Sequence, residues 1–344
     1  MTTPGDTPEL SGPAPDAAAL TRRFRVWLAW SVAIAAGMYV GYSAWIGLGE
    51  VSEALGRFSW GYLGAAVGLT IFVNYLLRWL KLHWLLTRIG VRLPWGESLT
   101  IFLAGFAMIL SPFRAGEVLK PYLVRERSGV PMLTVMPALV AERLTDGLAV
   151  LVIAAVSVSK FAGDQAALVY GTIAVTFLGV FVLMNERLSL GFLALLARLP
   201  VVSRVAYRLE ETYRAARLCL GPFPLLVTLV VSLVAWGAEA WGYQLIWAGF
   251  GRDVSLEAAS FLYAFATAAG GASPGGLGVA DGLLVTLPER LLGLPNAEVT
   301  ATSMLIRGAT LWLGVLFGAV ALLFVEGLLA RPKLTGQGGA PRPS

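Results

Sequence analysis

The sequence predicts an all-α integral membrane protein, with six full spans plus two re-entrant broken-helix hairpins arranged as an inverted repeat. Three observations carry this. Of 344 residues, 57% are hydrophobic and only 14% charged, where a soluble chain carries roughly 25% charged residues. The basic residues fall on one side of the apolar stretches. Two further apolar stretches are too short to cross and end at the same Ser-Pro pair. The mean hydropathy of +0.73 agrees with the first. One cysteine, Cys219, and one histidine, His83, leave no disulfide framework and no metal site to expect. No cofactor is expected either.

Along the chain, residues 1–21 are rich in Pro, Gly, Ala and Thr and read as a disordered tail. They lack the basic segment and short apolar core of a signal peptide. Apolar stretches long enough to span follow at about 26–46, 60–86, 132–158, 166–184, 223–250 and 299–325, each near the ~20 residues that a bilayer requires. The stretches 99–110 and 258–272 are short, end at Ser111-Pro112 and Ser273-Pro274, and read as re-entrant hairpins. Residues 190–220 place Arg204, Arg208, Glu211 and Arg217 opposite Val201, Val205 and Leu209. That pattern suits an amphipathic helix on the inner leaflet or a solvated connector. Residues 331–344 form a second polar tail, and the transmembrane domain covers 22–330.

The positive-inside rule orients this layout. With both termini in the cytoplasm, 17 Lys and Arg fall on inner segments and four (Arg57, Lys160, Arg252, Arg290) on outer ones. Lys120 belongs to the inner set in this count. The net charge of +5 is then topological, and nucleic-acid binding has no other support. Five bases remain inside apolar stretches: Arg78, Lys81, Arg114, Arg143 and Arg307. Arg78 and Lys81 fall near the inner end of their span, where long side chains snorkel to the headgroups.

The duplication is the most informative feature. Arg78 precedes Gly90 by twelve residues, and Glu239 precedes Gly251 by twelve. Glu97 and Ser111-Pro112 follow in the first unit (about 60–160), Glu257 and Ser273-Pro274 in the second (about 222–326). Each serine has a glycine five residues on, Gly116 or Gly278, and an intramembrane arginine 32 or 34 residues on, Arg143 or Arg307. Three crossings separate the units, so they have opposite orientation, an arrangement used by transporters.

The two breaks suit anion binding. Proline stops the incoming half-helix, and the next half-helix offers free N–H groups and its positive end, with Arg114 beside it in the first break. In the second, Gly275, Gly276 and Gly278 leave a bare backbone that a ligand can approach. Within the third span Glu142 and Asp146 share one face with Arg143 beside it, and Glu239 lies mid-span. Buried charges of this kind either pair to fix helix packing or serve a substrate. Arg143 and Arg307 are candidates for a lipid phosphate, with Glu239 and Arg78 as charge partners. Glu117 and Asp281 follow the two breaks, and at least one of them is expected to couple transport to protons.

Pro112-x-Arg114-Ala115-Gly116-Glu117, Glu142-Arg143-x-x-Asp146 and Pro274-Gly275-Gly276-Leu277-Gly278 resemble the lysylphosphatidylglycerol synthase transmembrane-region family. This flippase-like family forms the membrane half of the multiple peptide resistance factor. The resemblance covers about residues 22–330. It implies a flippase-like domain handling phospholipid or polyprenyl-phosphate lipids, with Arg114, Glu117, Glu142, Arg143, Asp146, Gly275, Gly276 and Gly278 as the central site. Ala280-Asp281 stands where the family commonly has a basic residue and Glu. About twenty residues follow Val325, so the resemblance implies no aminoacyl transfer by these residues, and a lipid-modifying enzyme would act in trans.

The expected function is therefore translocation of an anionic phospholipid or a polyprenyl-phosphate-linked lipid across the bacterial plasma membrane, without covalent chemistry. An integral membrane glycosyl- or head-group transferase and a non-transporting subunit of a lipid-modifying complex remain alternatives. Gly271-Ala272-Ser273-Pro274-Gly275 formally matches the G-x-S-x-G nucleophile elbow, but that motif needs a strand–turn–helix setting and an N–H on the residue after the serine, which Pro274 lacks. No phosphate-binding G-x-x-x-x-G-K-[ST] segment occurs.

Overall fold

The computed structural model describes residues 48–110, 116–158, 218–271 and 273–334, together with four isolated positions (37, 170, 171 and 174). Within these residues every regular element is helical. The predicted spans at 26–46 and 166–184, most of the amphipathic segment at 190–220, and Ser111 to Ala115 lie outside the described residues.

A short helix α1 (Leu48–Gly56) precedes the long α2 (Trp60–Arg88). Then come α3 (Trp95–Ala104), continued by a 3₁₀ turn at Gly105–Met108, α4 (Gly116–Ser128) and α5 (Met132–Val158). The second half repeats this order with α6 (Pro222–Gly249), α7 (Leu256–Gly270), a 3₁₀ turn at Pro274–Gly276, α8 (Val279–Leu292) and the long α9 (Asn296–Leu329). Three helices, α2, α6 and α9, with 29, 28 and 34 residues, are apolar and long enough to cross a membrane. At 1.5 Å per residue they reach about 42–51 Å, against a hydrocarbon core of about 30 Å. The 15 residues of α7 reach only about 22 Å, too short to cross such a layer.

The two glycines spaced alike after Arg78 and Glu239 have a shared structural role. Gly90 (φ 82°) follows α2 and Gly251 (φ 70°) follows α6. Each turns the chain from a long helix into the first half-helix through a left-handed conformation that other residues rarely adopt. Gly129 (φ 73°) and Gly293 (φ 64°) do the same after α4 and α8.

Packing between the halves is reciprocal. The half-helix α3 packs on α9, and its counterpart α7 packs on α5, the counterpart of α9. The long helices α2 and α6 pack on each other. Each half also forms its own hairpin, α3 with α4 and α7 with α8.

The apolar core is split. One cluster joins Leu82 and Leu85 of α2, Val135 and Ala138 of α5, and Leu322 and Val325 of α9. The other joins Ala66 of α2, Val150 and Ala154 of α5, and Val299 and Ile306 of α9. The same three helices therefore enter both clusters. Between them lies a waist of buried polar side chains, including Asn74, Arg78, Lys81, Glu142, Thr145, Asp146 and Thr310. The waist holds the candidate site.

Candidate functional site

Two π-helical segments interrupt the long helices at the waist, Thr70–Tyr75 in α2 and Gly308–Trp312 in α9. A π-turn shifts the register of the i→i−4 ladder and is common at functional positions. Here the two segments are joined, because Tyr75 Oη donates to the carbonyl of Thr310 at 2.5 Å. Asn74 Nδ2 also donates to the carbonyl of Ala235 in α6, at 3.0 Å.

Just beyond the first π segment, Arg78 and Lys81 turn into the bundle. Asp146 of α5 receives both: Arg78 Nε and Nη2 lie 3.1 and 3.0 Å from Oδ2, and Lys81 Nζ lies 2.5 Å from Oδ1. Ser232 of α6 binds the same oxygen at 2.9 Å and accepts from Lys81 at 2.7 Å. Arg78 and Lys81 are 5% and 3% exposed. The expectation that they snorkel is corrected by this. They face the bundle rather than its rim, and an unpaired Asp146 at this depth would cost several kcal/mol.

Glu142, one helical turn before Asp146, pairs with Lys120 of α4 at 2.8 and 3.1 Å, and both are fully buried. Lys120 is thus a waist residue, not a loop residue as the charge count had it. Its stem lies against Gly105, where a Cβ would fall 2.5 Å from Lys120 Cε. A side chain at Gly105, in the turn after α3, would have to displace that buried stem. Glu142 and Asp146 thus each have cations against them, from α4 and α2 respectively.

The second break is wrapped around Arg307. Its Nη2 donates to the carbonyl of Gly275 at 2.5 Å, and its Nε lies 2.9 Å from Asp281 Oδ1. Gly275, Gly276 and Gly278 have φ of 60°, 77° and 81°. A Cβ on Gly275 would fall 2.6 Å from Leu110 Cδ2, and one on Gly276 would fall 3.4 Å from the Arg307 guanidinium. The glycines therefore let this backbone pack closely against Leu110 and Arg307 of the protein itself. Asp281 also accepts from the N–H of Gly278 at 3.0 Å, so it caps α8 as well as holding Arg307. Ser273 donates its hydroxyl to the carbonyl of Gly270 at 3.1 Å, and His83 is stacked on Trp95 at 4.2 Å. Both engagements are ordinary packing and capping. In the first break, Arg114 and the Glu117 side chain lie outside the described residues.

These groups converge on a cavity of about 570 Å³. Arg78, Arg143 and Arg307 line it, with Asp146, Glu239, Tyr75 and Tyr263, and with Ser273, Gly275 and Gly276 from the break. Arg78 sits over the Trp236 ring at 5.2 Å and near Phe106 at 5.8 Å, which holds the guanidinium plane in place. Three guanidiniums beside a bare backbone in a low-dielectric site are suited to an oxyanion, since Arg presents paired donors. Of the residues singled out from the sequence, the cavity brings together Arg78, Arg143, Asp146, Glu239, Ser273, Gly275, Gly276 and Arg307. Asp281 holds the lining Arg307, and Glu142, Gly278 and Asp281 are not part of the lining. Tyr75, Lys81, Lys120 and Tyr263 were missed, although the i, i+3 spacing of Arg78 and Lys81, facing two carboxylates on α5, was a readable signal.

Among known proteins, the chain is similar to a UPF0104 membrane protein of Methanothermobacter thermautotrophicus, with 26% identity over 307 residues, covering 80% of this chain and 89% of that protein. The family described as the lysylphosphatidylglycerol synthase TM region matches residues 28–318. The chain belongs to that membrane-protein family, which is linked to lipid handling.

Proposed function

We propose that the protein translocates an anionic phospholipid or a polyprenyl-phosphate-linked lipid across the bacterial plasma membrane and does no covalent chemistry on it. The observation that carries this reading is the waist cavity, where Arg78, Arg143 and Arg307 face a glycine-lined break inside a helical bundle. A phosphate is the lipid group that three guanidiniums would hold. The acyl or prenyl chains would stay outside, against faces such as Phe72, Leu316 and Phe324, each more than half exposed.

The reciprocal packing of α3 on α9 and α7 on α5 supports an inverted repeat. Such swapped contacts are the mark of a two-fold relation between halves, and an axis in the membrane plane places the two breaks on opposite sides of the waist. Both termini then lie in the cytoplasm.

Reconstitution tests the reading. Liposomes containing the purified protein and acyl-labelled phosphatidylglycerol, or labelled polyprenyl phosphate, are exposed to a membrane-impermeant quencher. Translocation makes inner-leaflet label reachable beyond the outer-leaflet share, and the lipid is recovered chemically unchanged. Quenching no greater than in protein-free liposomes for both lipids excludes the proposal, and recovery of a modified lipid makes the protein an enzyme.

A further inference from the structure

Each buried carboxylate at the waist has a cation against it except one. Glu142 has Lys120, and Asp146 has Arg78 and Lys81. Nearer one end of the bundle, Glu97 has Arg127 and Arg331. Glu239 is 4% exposed and lines the cavity. Among the described residues its hydrogen-bond partner is the hydroxyl of Tyr263, at 2.6 Å, and no cation reaches ion-pair distance. The charged and titratable groups that face it come from every side: Arg78 and Tyr75 of α2, Asp146 of α5, Tyr263 of α7 and Arg307 of α9. Two of these, Arg78 and Arg307, are the guanidiniums that an incoming phosphate would engage.

We propose that Glu239 is the proton-carrying group of the cavity, taking up one proton when an anionic phosphodiester lipid enters and releasing it when the lipid leaves. This rests on the translocation reading and adds that lipid and proton cross together. The physical reason is charge. A phosphodiester arriving at Arg78, Arg143 and Arg307 brings a negative charge into the same low-dielectric space as the Glu239 carboxylate and draws off the cations that balance it. Protonation of the carboxylate from water on the open side removes that repulsion, and the proton leaves to water when the cavity empties on the other side. No bond to the lipid forms. By linkage, a lipid that favours the protonated form binds more tightly at low pH, and binding takes up protons in equal measure. Asp146 is unsuited to this, because Arg78, Lys81 and Ser232 occupy both its oxygens. Asp281 is likewise committed to Arg307 and the Gly278 N–H, so it stands as a counter-charge rather than the proton carrier expected from its position.

The test uses the full chain in detergent and dihexanoyl phosphatidylglycerol, whose phosphodiester keeps its charge throughout. Calorimetric titration is run in two buffers of different ionisation enthalpy, between about pH 6 and pH 8. Wild-type protein is expected to take up approximately one proton per lipid at the upper end, with affinity falling up to about tenfold per pH unit. Glu239→Gln keeps the volume and an acceptor for Tyr263. It is expected to bind at the wild-type low-pH affinity, without proton uptake and without pH dependence. Proton uptake retained in Glu239→Gln overturns the proposal. Wild-type binding with no proton uptake also overturns it while leaving translocation intact, and this count needs no variant to fold. Absence of phosphatidylglycerol binding at any pH removes the proton linkage and counts against the translocation reading too.

Discussion

Lys120 and Glu142 meet with both side chains fully buried, on the consecutive helices α4 and α5. Such a pair holds its place because removing one partner strands the other without water. Lys120→Met is therefore expected to lower stability by about 3–5 kcal/mol, measured by denaturant or thermal unfolding in detergent. Lys120→Met with Glu142→Met should recover most of that loss, since an apolar pair of similar volume strands no charge. If the double variant is as unstable as the single, the pair is not what the site requires. Arg143 and Arg307 differ in kind. Arg307 clamps the break through Gly275 and Asp281, whereas Arg143 lines the cavity half-buried. Arg143→Ala is expected to slow translocation per folded molecule about ten- to a hundredfold, the value of a charge-assisted hydrogen bond of roughly 1.5–3 kcal/mol. Full transport by a folded Arg143→Ala protein would remove it from the site. The acids and arginines of this waist were legible from sequence because charge is rare in apolar segments. Tyr75 and Tyr263 were not, because a tyrosine in an apolar helix looks the same whether its hydroxyl faces a cavity or a neighbouring carbonyl.

At the scale of elements, the close approach of helices depends on a few glycines that their own helices do not need. A Cβ on Gly318 of α9 would run into the backbone of Phe106 and Ala107, in the 3₁₀ turn that extends α3. Backbone cannot step aside as a flexible side chain can. Gly318→Ala is therefore expected to cost about 1–3 kcal/mol by overpacking, whereas Gly327→Ala in the same helix, with nothing within 4 Å of its Cβ, should be neutral or slightly stabilising. Equal melting temperatures for the two variants would show that α9 and the turn are not in contact. The second half-helix α7 was legible because its apolar stretch is short and closes at Ser273-Pro274, whereas the left-handed turns at Gly129 and Gly293 carried no signal that the sequence reading used. Only the described helices bear on the predicted spans: α2, α6 and α9 match three of them to within a few residues. The π segments were invisible, since Thr70–Tyr75 and Gly308–Trp312 carry no sequence signal apart from the tertiary bond between Tyr75 and Thr310 that joins them.

For the whole molecule, lipid crossing at the waist depends on how the two similar halves are placed. Each half ends its second half-helix with an exposed arginine a few residues before a left-handed glycine: Arg125 before Gly129, and Arg290 before Gly293. A parallel repeat would put both arginines on one side of the membrane, whereas an inverted repeat puts them on opposite sides. Reciprocal packing of each first half-helix on the other half's last helix fits a two-fold axis of either direction, and the proposed inverted repeat, oriented by the charge bias, predicts Arg125 inside and Arg290 outside. Cysteine labelling separates the cases. Cys219 is buried, so Cys219→Ala gives a cysteine-free background at modest cost, into which Arg125→Cys and Arg290→Cys are introduced singly. A membrane-impermeant maleimide added to intact cells should label Arg290→Cys and leave Arg125→Cys unlabelled until the membrane is opened. Labelling of both from the same side would mean that the breaks enter from one leaflet. The cavity would then be a pocket open to one face rather than a site that two opposed hairpins share, and lipid crossing through the waist would lose its structural basis.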